Sequence, residues 1–254
     1  FNEIWEYNVQ TDSWSLLTTC ECSGRRHPAV IIRDDKIYVG LGDGSTGDLD
    51  DWHIYDMNTD SWSQASDIPG AGRHHPFMFP AGDHVYAGMG HSGATIYGDW
   101  YKFNIQTESW ETMSDFPGEH RVAGTQFGHQ GKGYVLSGDG SNHSWMPTGE
   151  FWEYDPETDN WTELDAHPGR SRWAPGSFVI NGAVYFLGGE NRQTEIIMND
   201  VWTYQLTTPT SSTQEFVQES NLNLYPNPAS DVVRIGADFT EDATISILNS
   251  SGQL

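Results

Sequence analysis

The feature that most constrains the fold of this chain is a repeat of about fifty residues that is marked by tryptophan. The tryptophans that open the successive units lie 47, 48, 52 and 50 residues apart, at Trp5, Trp52, Trp100, Trp152 and Trp202. In four units an aromatic residue is followed seven positions later by a second tryptophan, in the pairs Tyr7–Trp14, Tyr55–Trp62, Phe103–Trp110 and Tyr154–Trp161. A period of this length, with one supersecondary unit per repeat, is typical of a propeller or an array.

Each repeat has the composition of four short β-strands separated by tight turns. In the second repeat, apolar runs at 27–32 and 36–42 are followed by an alternating run at 51–56 and a short run at 61–63. Runs rich in Val, Ile, Tyr and Trp, bounded by Gly, Asn and Asp, predict an antiparallel all-β meander. No segment keeps the apolar spacing of a helix beyond two turns, so we expect no long helix.

These marks resemble those of the kelch repeat over residues 1–206. The resemblance rests on the spaced tryptophans, a Tyr-Asp pair and a glycine doublet. The Tyr-Asp pair occurs at Tyr55-Asp56 and Tyr154-Asp155. The glycine doublet is complete at Gly188-Gly189, and only its second glycine is present at Gly42, Gly90 and Gly138. The resemblance implies an all-β fold, a kelch-type β-propeller of four-stranded antiparallel blades.

The tally of strands predicts an incomplete ring in this chain. Phe1 lies already inside a third strand, and no outer strand is evident after Trp202, which leaves two strands, three full blades and three strands. Kelch propellers usually have about six or seven blades. We therefore expect one or more N-terminal blades to lie outside this stretch.

The composition changes beyond residue 206. Residues 207–220 are polar and rich in Ser and Thr, which predicts a linker. Residues 221–254 contain a Tyr-Pro-Asn-Pro-Ala segment, strand-like runs and a Ser-Gly-Gln turn, and resemble the start of a type IX secretion sorting domain. An ordinary small β-sandwich is the alternative. The resemblance implies that the type IX secretion machinery is a partner, and that the protein is secreted or displayed on the outer-membrane surface of a Gram-negative bacterium.

Charge and cysteine content narrow the classes of partner. With a net charge of −24, the chain lacks the basic surface of nucleic-acid-binding proteins and is unsuited to anionic membrane surfaces. No apolar stretch approaches the ~20 residues that span a bilayer as a helix. After export, Cys20 and Cys22 can form a disulfide with each other or with a segment outside this stretch, and a thiolate metal site is a weaker alternative.

In each blade, the loop before the inner strand and the loop after the second strand emerge on the same face. Four arginines fall at one equivalent position in the loops before the inner strands: Arg25, Arg73, Arg121 and Arg172. The functional interpretation is a collar of guanidinium groups that binds carboxylate or sulfate. The structural alternative is that each arginine pairs with backbone or acidic groups of the blades.

Histidines occur in the same loops. His27 and His75 lie two residues after their arginines, and kelch propellers that bind ligands use this position to line the central channel. His91 and His143 follow the second strands of their blades and add two further imidazoles. Such a set could hydrogen-bond a ligand, act as a base or bind a transition metal.

Two tryptophans, Trp145 and Trp173, lie outside the repeat positions, in loops of the same face. An aromatic ring among polar side chains suits the binding of a sugar, and packing within its own loop is the alternative. The loop 43–51 is rich in carboxylates, which are ligands for Ca²⁺. We expect no cofactor, with Ca²⁺ or a transition metal as the alternatives.

Two classes of function remain. The kelch resemblance favours a non-catalytic module that binds a glycan or a protein ligand through its Arg, His and Trp side chains. The alternative is a carbohydrate-active enzyme, either a polysaccharide lyase or a sugar mutarotase. In that enzyme His27 or His75 and a tyrosine act as base and acid, and an arginine neutralises a substrate carboxylate. Because propellers host many functions, the fold alone does not decide.

Overall fold

A computed structural model of the chain describes residues 2–206 and three short strands beyond them, Val217–Gln218, Asn223–Tyr225 and Arg234–Gly236. The described residues up to 218 form one two-stranded sheet followed by four four-stranded antiparallel sheets, with the strands of each sheet in chain order. This is the arrangement of kelch blades predicted from the sequence. The helical structure in the described part of the chain is one 3-10 turn, Ser141–His143.

We number the sheets as blades 1 to 5, and blades 2 to 5 each have an inner, a second, a third and an outer strand. Blade 1 consists of Glu3–Asn8 and Ser13–Thr19. Blade 2 consists of Ala29–Arg33, Lys36–Gly40, Trp52–Asp56 and Ser61–Gln64, and blade 3 of Phe77–Ala81, His84–Gly88, Trp100–Asn104 and Ser109–Met113. Blade 4 consists of Thr125–His129, Lys132–Leu136, Gly149–Asp155 and Asn160–His167. Blade 5 consists of Gly176–Ile180, Ala183–Leu187, Val201–Gln205 and Val217–Gln218.

Short strands extend the loops between the second and third strands. In blade 2 they form a three-stranded sheet, and in blades 3 and 5 they form two-residue hairpins. In blade 2 the strands Asp43–Gly44 and Gly47–Asp48 are joined by Arg25–Arg26 from the loop before the inner strand. The hairpin of blade 3 consists of His91–Ser92 and Thr95–Ile96, and that of blade 5 consists of Glu190–Asn191 and Ile196–Ile197.

The prediction that no outer strand follows Trp202 is wrong. Val217–Gln218 pairs antiparallel with the third strand of blade 5, so that Thr203 lies opposite Val217. This outer strand lacks the turn and the tryptophan that mark the outer strands of blades 1 to 4, and the repeat pattern therefore could not reveal it.

Most of the C-terminal prediction falls outside the described residues. The outer strand of blade 5 lies inside the predicted linker at 207–220, and the remainder of that linker is not described. Of the predicted sorting domain at 221–254, the structure describes one antiparallel pair, Asn223–Tyr225 with Arg234–Gly236.

The repeated tyrosine and acidic residue close the turn between the third and outer strands. The Tyr55 hydroxyl donates to Asp60 Oδ1 at 2.7 Å, and the Tyr154 hydroxyl donates to Asp159 Oδ1 at 2.8 Å. The acidic residue of this turn has a φ of 49° to 51° in blades 1 to 4, a left-handed conformation that short polar residues tolerate best. The hydrogen bond and the conformation together explain why both residue types recur.

Aromatic side chains pack adjacent blades against one another. Trp52 and Trp100 are fully buried. The Trp52 ring meets Trp110 of the next blade edge-on at 4.9 Å between centroids, and Trp100 meets Trp161 in the same way at 5.4 Å. Such aromatic pairs add to the large apolar area that they bury, so the core of this fold lies between its blades.

The second glycine of the kelch doublet positions the loops on the face described below. Gly90 has a φ of +77°, and a Cβ atom there would lie 2.8 Å from the carbonyl oxygen of His74. Gly138 has a φ of +104° and the same close approach, at 2.7 Å from Val122 O. Any other residue would be strained by the positive φ and its Cβ atom would clash with a carbonyl oxygen. Glycine therefore allows the end of the second strand to pack closely against the loop before the inner strand.

Candidate functional site

Loops that precede the inner strands pair with loops that follow the second strands, and together they build one face of the blades. In blades 3, 4 and 5 the pairing consists of reciprocal backbone hydrogen bonds of 2.8 to 3.0 Å. The paired residues are His74 with His91, Val122 with Asp139, and Trp173 with Glu190. The backbone is therefore the same in three blades while the side chains differ.

The next residue in each loop has an uncommon backbone conformation. His27, His75, Ala123 and Ala174 have φ values of 48° to 51°, in a region that residues other than glycine rarely occupy. His75 N–H donates to His27 O at 3.1 Å, and Ala174 N–H donates to Ala123 O at 2.7 Å. These bonds link adjacent blades, and such conformations cluster at functional sites in proteins.

The four histidines singled out in the sequence form one continuous cluster. The rings of His27 and His75 stack with their centroids 3.9 Å apart. His75 Nδ1 lies 3.2 Å from His91 Nε2, and His91 Nδ1 lies 2.7 Å from His143 Nε2. Burial, with the neighbouring histidines, lowers the pKa of His75 to about 3, and burial also lowers the pKa of His91. Both imidazoles are therefore neutral near pH 7.

A fifth histidine, His74, belongs to the same cluster and was missed in the sequence. Its Nδ1 lies 2.6 Å from Asp48 Oδ1, and its ring centroid lies 3.9 Å from that of His91. The equivalent positions in the other blades hold Arg26, Val122 and Trp173, so no second histidine marks this position of the repeat. The adjacent His-His pair, with an acidic hairpin in the preceding blade, was the signal that could have pointed to it.

Asp139 is a buried carboxylate in the same set of loops. It has no exposed surface, and neither of its carboxylate oxygens has a hydrogen-bond partner among the described residues. A guanidinium nitrogen of Arg192 lies 3.3 Å from Oδ2. Burial raises the pKa of Asp139 to about 6, although the charge of Arg192 opposes this change. A carboxyl group that titrates near neutral pH is suited to proton exchange.

Arg192 and Trp173 connect this carboxylate with the histidines. The exposed Arg192 guanidinium lies over the Trp173 ring, 4.7 Å from its centroid. Trp173 in turn meets the His75 ring edge-on at 5.1 Å. We refer to these residues as the channel-face site: His27, His74, His75, His91, Asp139, His143, Trp173 and Arg192.

The four repeated arginines pair with acidic groups of the blades, which is the structural alternative given for them, and the described residues show no open collar of guanidinium groups. All four side chains are buried. Arg25 forms a bidentate pair with Asp51 at 2.6 and 2.9 Å. Arg172 forms an equivalent bidentate pair with Asp200, also at 2.6 and 2.9 Å. The acidic partners are Asp51 for Arg25, Asp99 for Arg73, Glu150 for Arg121 and Asp200 for Arg172. Because these guanidinium groups are used within the blades, they are unavailable to a ligand.

Comparison with known proteins places the chain in a family. Residues 79–227, more than half of the chain, match the family described as NANM, N-acetylneuraminate epimerase. The chain belongs to the N-acetylneuraminate epimerase family. Among solved structures, that of YjhT is similar, with a TM-score of 0.66 and 17% identity over 78% of this chain. The chain spans 65% of the YjhT chain, and this similarity concerns the fold. No curated protein matches the chain.

The C-terminal residues of this epimerase-family protein match a second family. Residues 223–254 match the secretion system C-terminal sorting domain. The sorting domain confirms the prediction that the protein is secreted or displayed on the surface of a Gram-negative bacterium, with the type IX secretion machinery as a partner. In the part of the chain that the structure describes, no helix is long and apolar enough to cross a membrane.

Trp145 lies apart from the channel-face site of this epimerase-family chain. The Arg170 guanidinium, which belongs to the loop before the inner strand of blade 5, lies over its ring, 3.9 Å from the centroid. Trp145 therefore packs against a neighbouring loop, whereas the alternative given from the sequence was packing within its own loop. An open cavity of ≈ 300 Å³ lies beside the 3-10 turn, and it is lined by Ala94, Ile96, Glu119, His120, Ser141 and Asn142. None of the clustered histidines lines this cavity.

The acidic loop and the cysteines have local partners. In the loop 43–51, Asp43 pairs with Arg26, Asp48 with His74, and Asp51 with Arg25. These pairings engage three of the carboxylates that a Ca²⁺ ion would need. Cys20 and Cys22 form a disulfide with each other, the first of the alternatives open from the sequence.

Proposed function

We propose that the protein is an exported sialic-acid mutarotase that acts on N-acetylneuraminate or a closely related 2-keto sugar acid. The observation that carries the proposal is the buried Asp139 carboxylate, which has no hydrogen-bond partner among the described residues and lies beside the exposed Arg192. The family match supports the same chemistry, because its members are described as N-acetylneuraminate epimerases.

The reaction requires one proton to leave the sugar and another to arrive. Removal of the proton from the anomeric hydroxyl and protonation of the ring oxygen break the bond between the anomeric carbon and that oxygen. The open form has a ketone at the anomeric carbon and a free hydroxyl where the ring oxygen was. Rotation about the neighbouring carbon–carbon bond and closure on the other face, with the proton transfers reversed, give the second anomer.

Each role has a residue of matching chemistry in the channel-face site. Arg192 binds the substrate carboxylate, because guanidinium groups form paired hydrogen bonds with carboxylates. Trp173, half-buried beneath Arg192, offers an apolar surface to the sugar ring. Asp139 has no exposed surface beside Arg192, so this role requires the guanidinium to move outward onto the substrate carboxylate before the anomeric hydroxyl meets Asp139. A pKa of about 6 lets Asp139 accept that proton near neutral pH, and solvent on this open face supplies the proton for the ring oxygen.

Two other functions use the same face. A non-catalytic glycan-binding module would need Trp173 and Arg192 but would have no use for a carboxylate that costs stability through its burial. A polysaccharide lyase would also need an arginine for a uronate carboxylate. The family match favours the mutarotase over both.

Anomer exchange measured by NMR tests the proposal. We expect the purified protein to accelerate exchange between the two anomers of N-acetylneuraminate, and expect Asp139→Asn to lower the rate by about 100-fold or more, the usual scale of one acid–base group. Arg192→Gln should raise the KM, because it removes the paired hydrogen bonds to the substrate carboxylate. The matched control is Asp43→Asn at the equivalent position of blade 2, where the carboxylate is partly exposed and paired with Arg26.

Three results would contradict the proposal in different ways. Saturable binding of N-acetylneuraminate without faster exchange would identify a binding module. Unsaturated products from a uronate-containing polysaccharide would identify a lyase. Equal loss of rate in Asp43→Asn and Asp139→Asn would show that the channel-face site is not the place of reaction.

A further inference from the structure

We propose that His74, His75 and His91 bind a divalent first-row transition metal ion, with one imidazole nitrogen from each residue. The three residues bring their candidate ligand nitrogens within 4.8 Å of one another. Neutral imidazole suits Zn²⁺, Cu²⁺ and Ni²⁺, whereas Ca²⁺ and Mg²⁺ prefer oxygen ligands. This inference is independent of the proposed mutarotase activity.

Hydrogen bonds fix which nitrogen of two of these rings is available to a metal. Asp48 Oδ1 lies 2.6 Å from His74 Nδ1. Because a carboxylate oxygen accepts a hydrogen bond, Nδ1 is the donor in this contact, and in that tautomer of neutral imidazole Nε2 has the lone pair. The carbonyl oxygen of Gly93, 3.2 Å from His91 Nδ1, accepts a hydrogen bond in the tautomer that leaves the lone pair on His91 Nε2, and in that tautomer His143 Nε2, 2.7 Å from the same nitrogen, is an acceptor as well. Metal-binding histidines in proteins are usually anchored through their other ring nitrogen by a carboxylate or a carbonyl.

The spacing of the third imidazole agrees with coordination. His75 Nδ1 lies 3.2 Å from His91 Nε2. Two nitrogens that each lie about 2.0–2.1 Å from a tetrahedral Zn²⁺ are separated by about 3.4 Å. Two of the three nitrogens therefore already have nearly the separation that one metal ion requires.

The scaffold does not require histidine at these positions. The paired positions of His74 and His91 hold Val122 and Asp139 in blade 4, and Trp173 and Glu190 in blade 5, with the same backbone hydrogen bonds. The three imidazoles are thus an addition to a backbone that forms without them. That backbone also holds the three residues rigidly, as an effective metal site needs.

Three nitrogen ligands leave a position free on the ion. His74 and His75 are only half-buried, so water or a ligand can reach that position. Zinc sites with three protein ligands and one open position are the catalytic type, whereas structural zinc sites are closed by four protein ligands. We therefore expect an exchangeable ligand on the metal.

Metal titration of protein produced without a polyhistidine tag tests this inference. After treatment with a chelator, we expect calorimetry to give one Zn²⁺ bound per chain, and Co²⁺ to give the visible absorption of a tetrahedral site. His74→Gln and His91→Gln should abolish the Co²⁺ spectrum. Asp48→Asn should weaken Zn²⁺ binding by about 10- to 100-fold, because it removes only the anchor of His74.

His120→Gln is the matched control, since His120 is an exposed histidine outside the cluster, and it should bind Zn²⁺ as the wild type does. Circular dichroism of each metal-free variant verifies that the blades have formed. Absence of Zn²⁺ binding to the folded wild type would overturn the inference. Equal binding by the wild type and by folded His74→Gln and His91→Gln would overturn it as well, because the ion would then lie elsewhere.

Discussion

Replacing Asp139 by Asn should make the stability of the protein less sensitive to pH. In the folded protein Asp139 keeps its proton up to about pH 6, whereas an aspartate in the unfolded chain loses it near pH 3.8. The folded state therefore binds more protons between these values, and the free energy of unfolding falls as the pH rises through this window. A difference of about two pH units corresponds to about 3 kcal/mol, at 1.36 kcal/mol per unit.

Because asparagine does not titrate, the comparison of two pH values isolates this contribution from any fixed effect of the new amide. We expect the free energy of unfolding of Asp139→Asn, relative to the wild type, to rise by about 3 kcal/mol between pH 4 and pH 8. Urea unfolding followed by tryptophan fluorescence at both pH values measures it. Asp43→Asn is the matched substitution, because Asp43 has the equivalent position in blade 2 and its carboxylate is partly exposed and paired with Arg26; the same rise in that variant would contradict the explanation by burial. A constant difference between Asp139→Asn and the wild type would refute the reasoning.

Three further substitutions test the scaffold by the free energy of unfolding in urea. Arg73→Ala should lower it by about 3–5 kcal/mol, because it leaves the Asp99 carboxylate without its buried partner. Gly90→Ala should lower it by about 1–3 kcal/mol, because the new Cβ approaches the His74 carbonyl oxygen at a positive φ. Tyr154→Phe should lower it by about 1 kcal/mol through loss of one hydrogen bond in a turn.

Each of these substitutions has a control in the same chain. Arg26→Ala removes an exposed ion pair and should change stability by no more than about 1 kcal/mol. Gly93→Ala also has a positive φ but meets no atom within 4 Å, so it separates backbone strain from the close approach at Gly90. Tyr86→Phe removes a buried hydroxyl outside the turns. Equal losses at a site and its control would contradict the explanation given for that site.

The fold was predictable because its marks are local. The acidic residue with a positive φ recurs in the turns of blades 1 to 4, and the glycine at the end of the second strand recurs in blades 2 to 5. Each of these marks depends on only a few neighbouring residues. The outer strand Val217–Gln218 was not predictable in this way. Its pairing depends on the third strand of blade 5, and no local mark accompanies it.

The site was predictable only in part, because its contacts join residues far apart in sequence. The positions of the arginines were found, but their partners were not, although an acid stands one or two residues before the opening tryptophan in blades 2 to 5, as Asp51 does before Trp52. His27 and His75 were placed together correctly, and their rings stack. The pairing of Asp139 with Arg192 crosses from one blade to the next, which the repeat pattern does not encode.

The left-handed residue that follows each paired loop position has a consequence for how such propellers diversify. His27, His75, Ala123 and Ala174 share one backbone conformation despite their different side chains. An exchange between His and Ala at any of these positions therefore changes the chemistry of this face while the backbone conformation stays the same. New specificities can arise there one residue at a time.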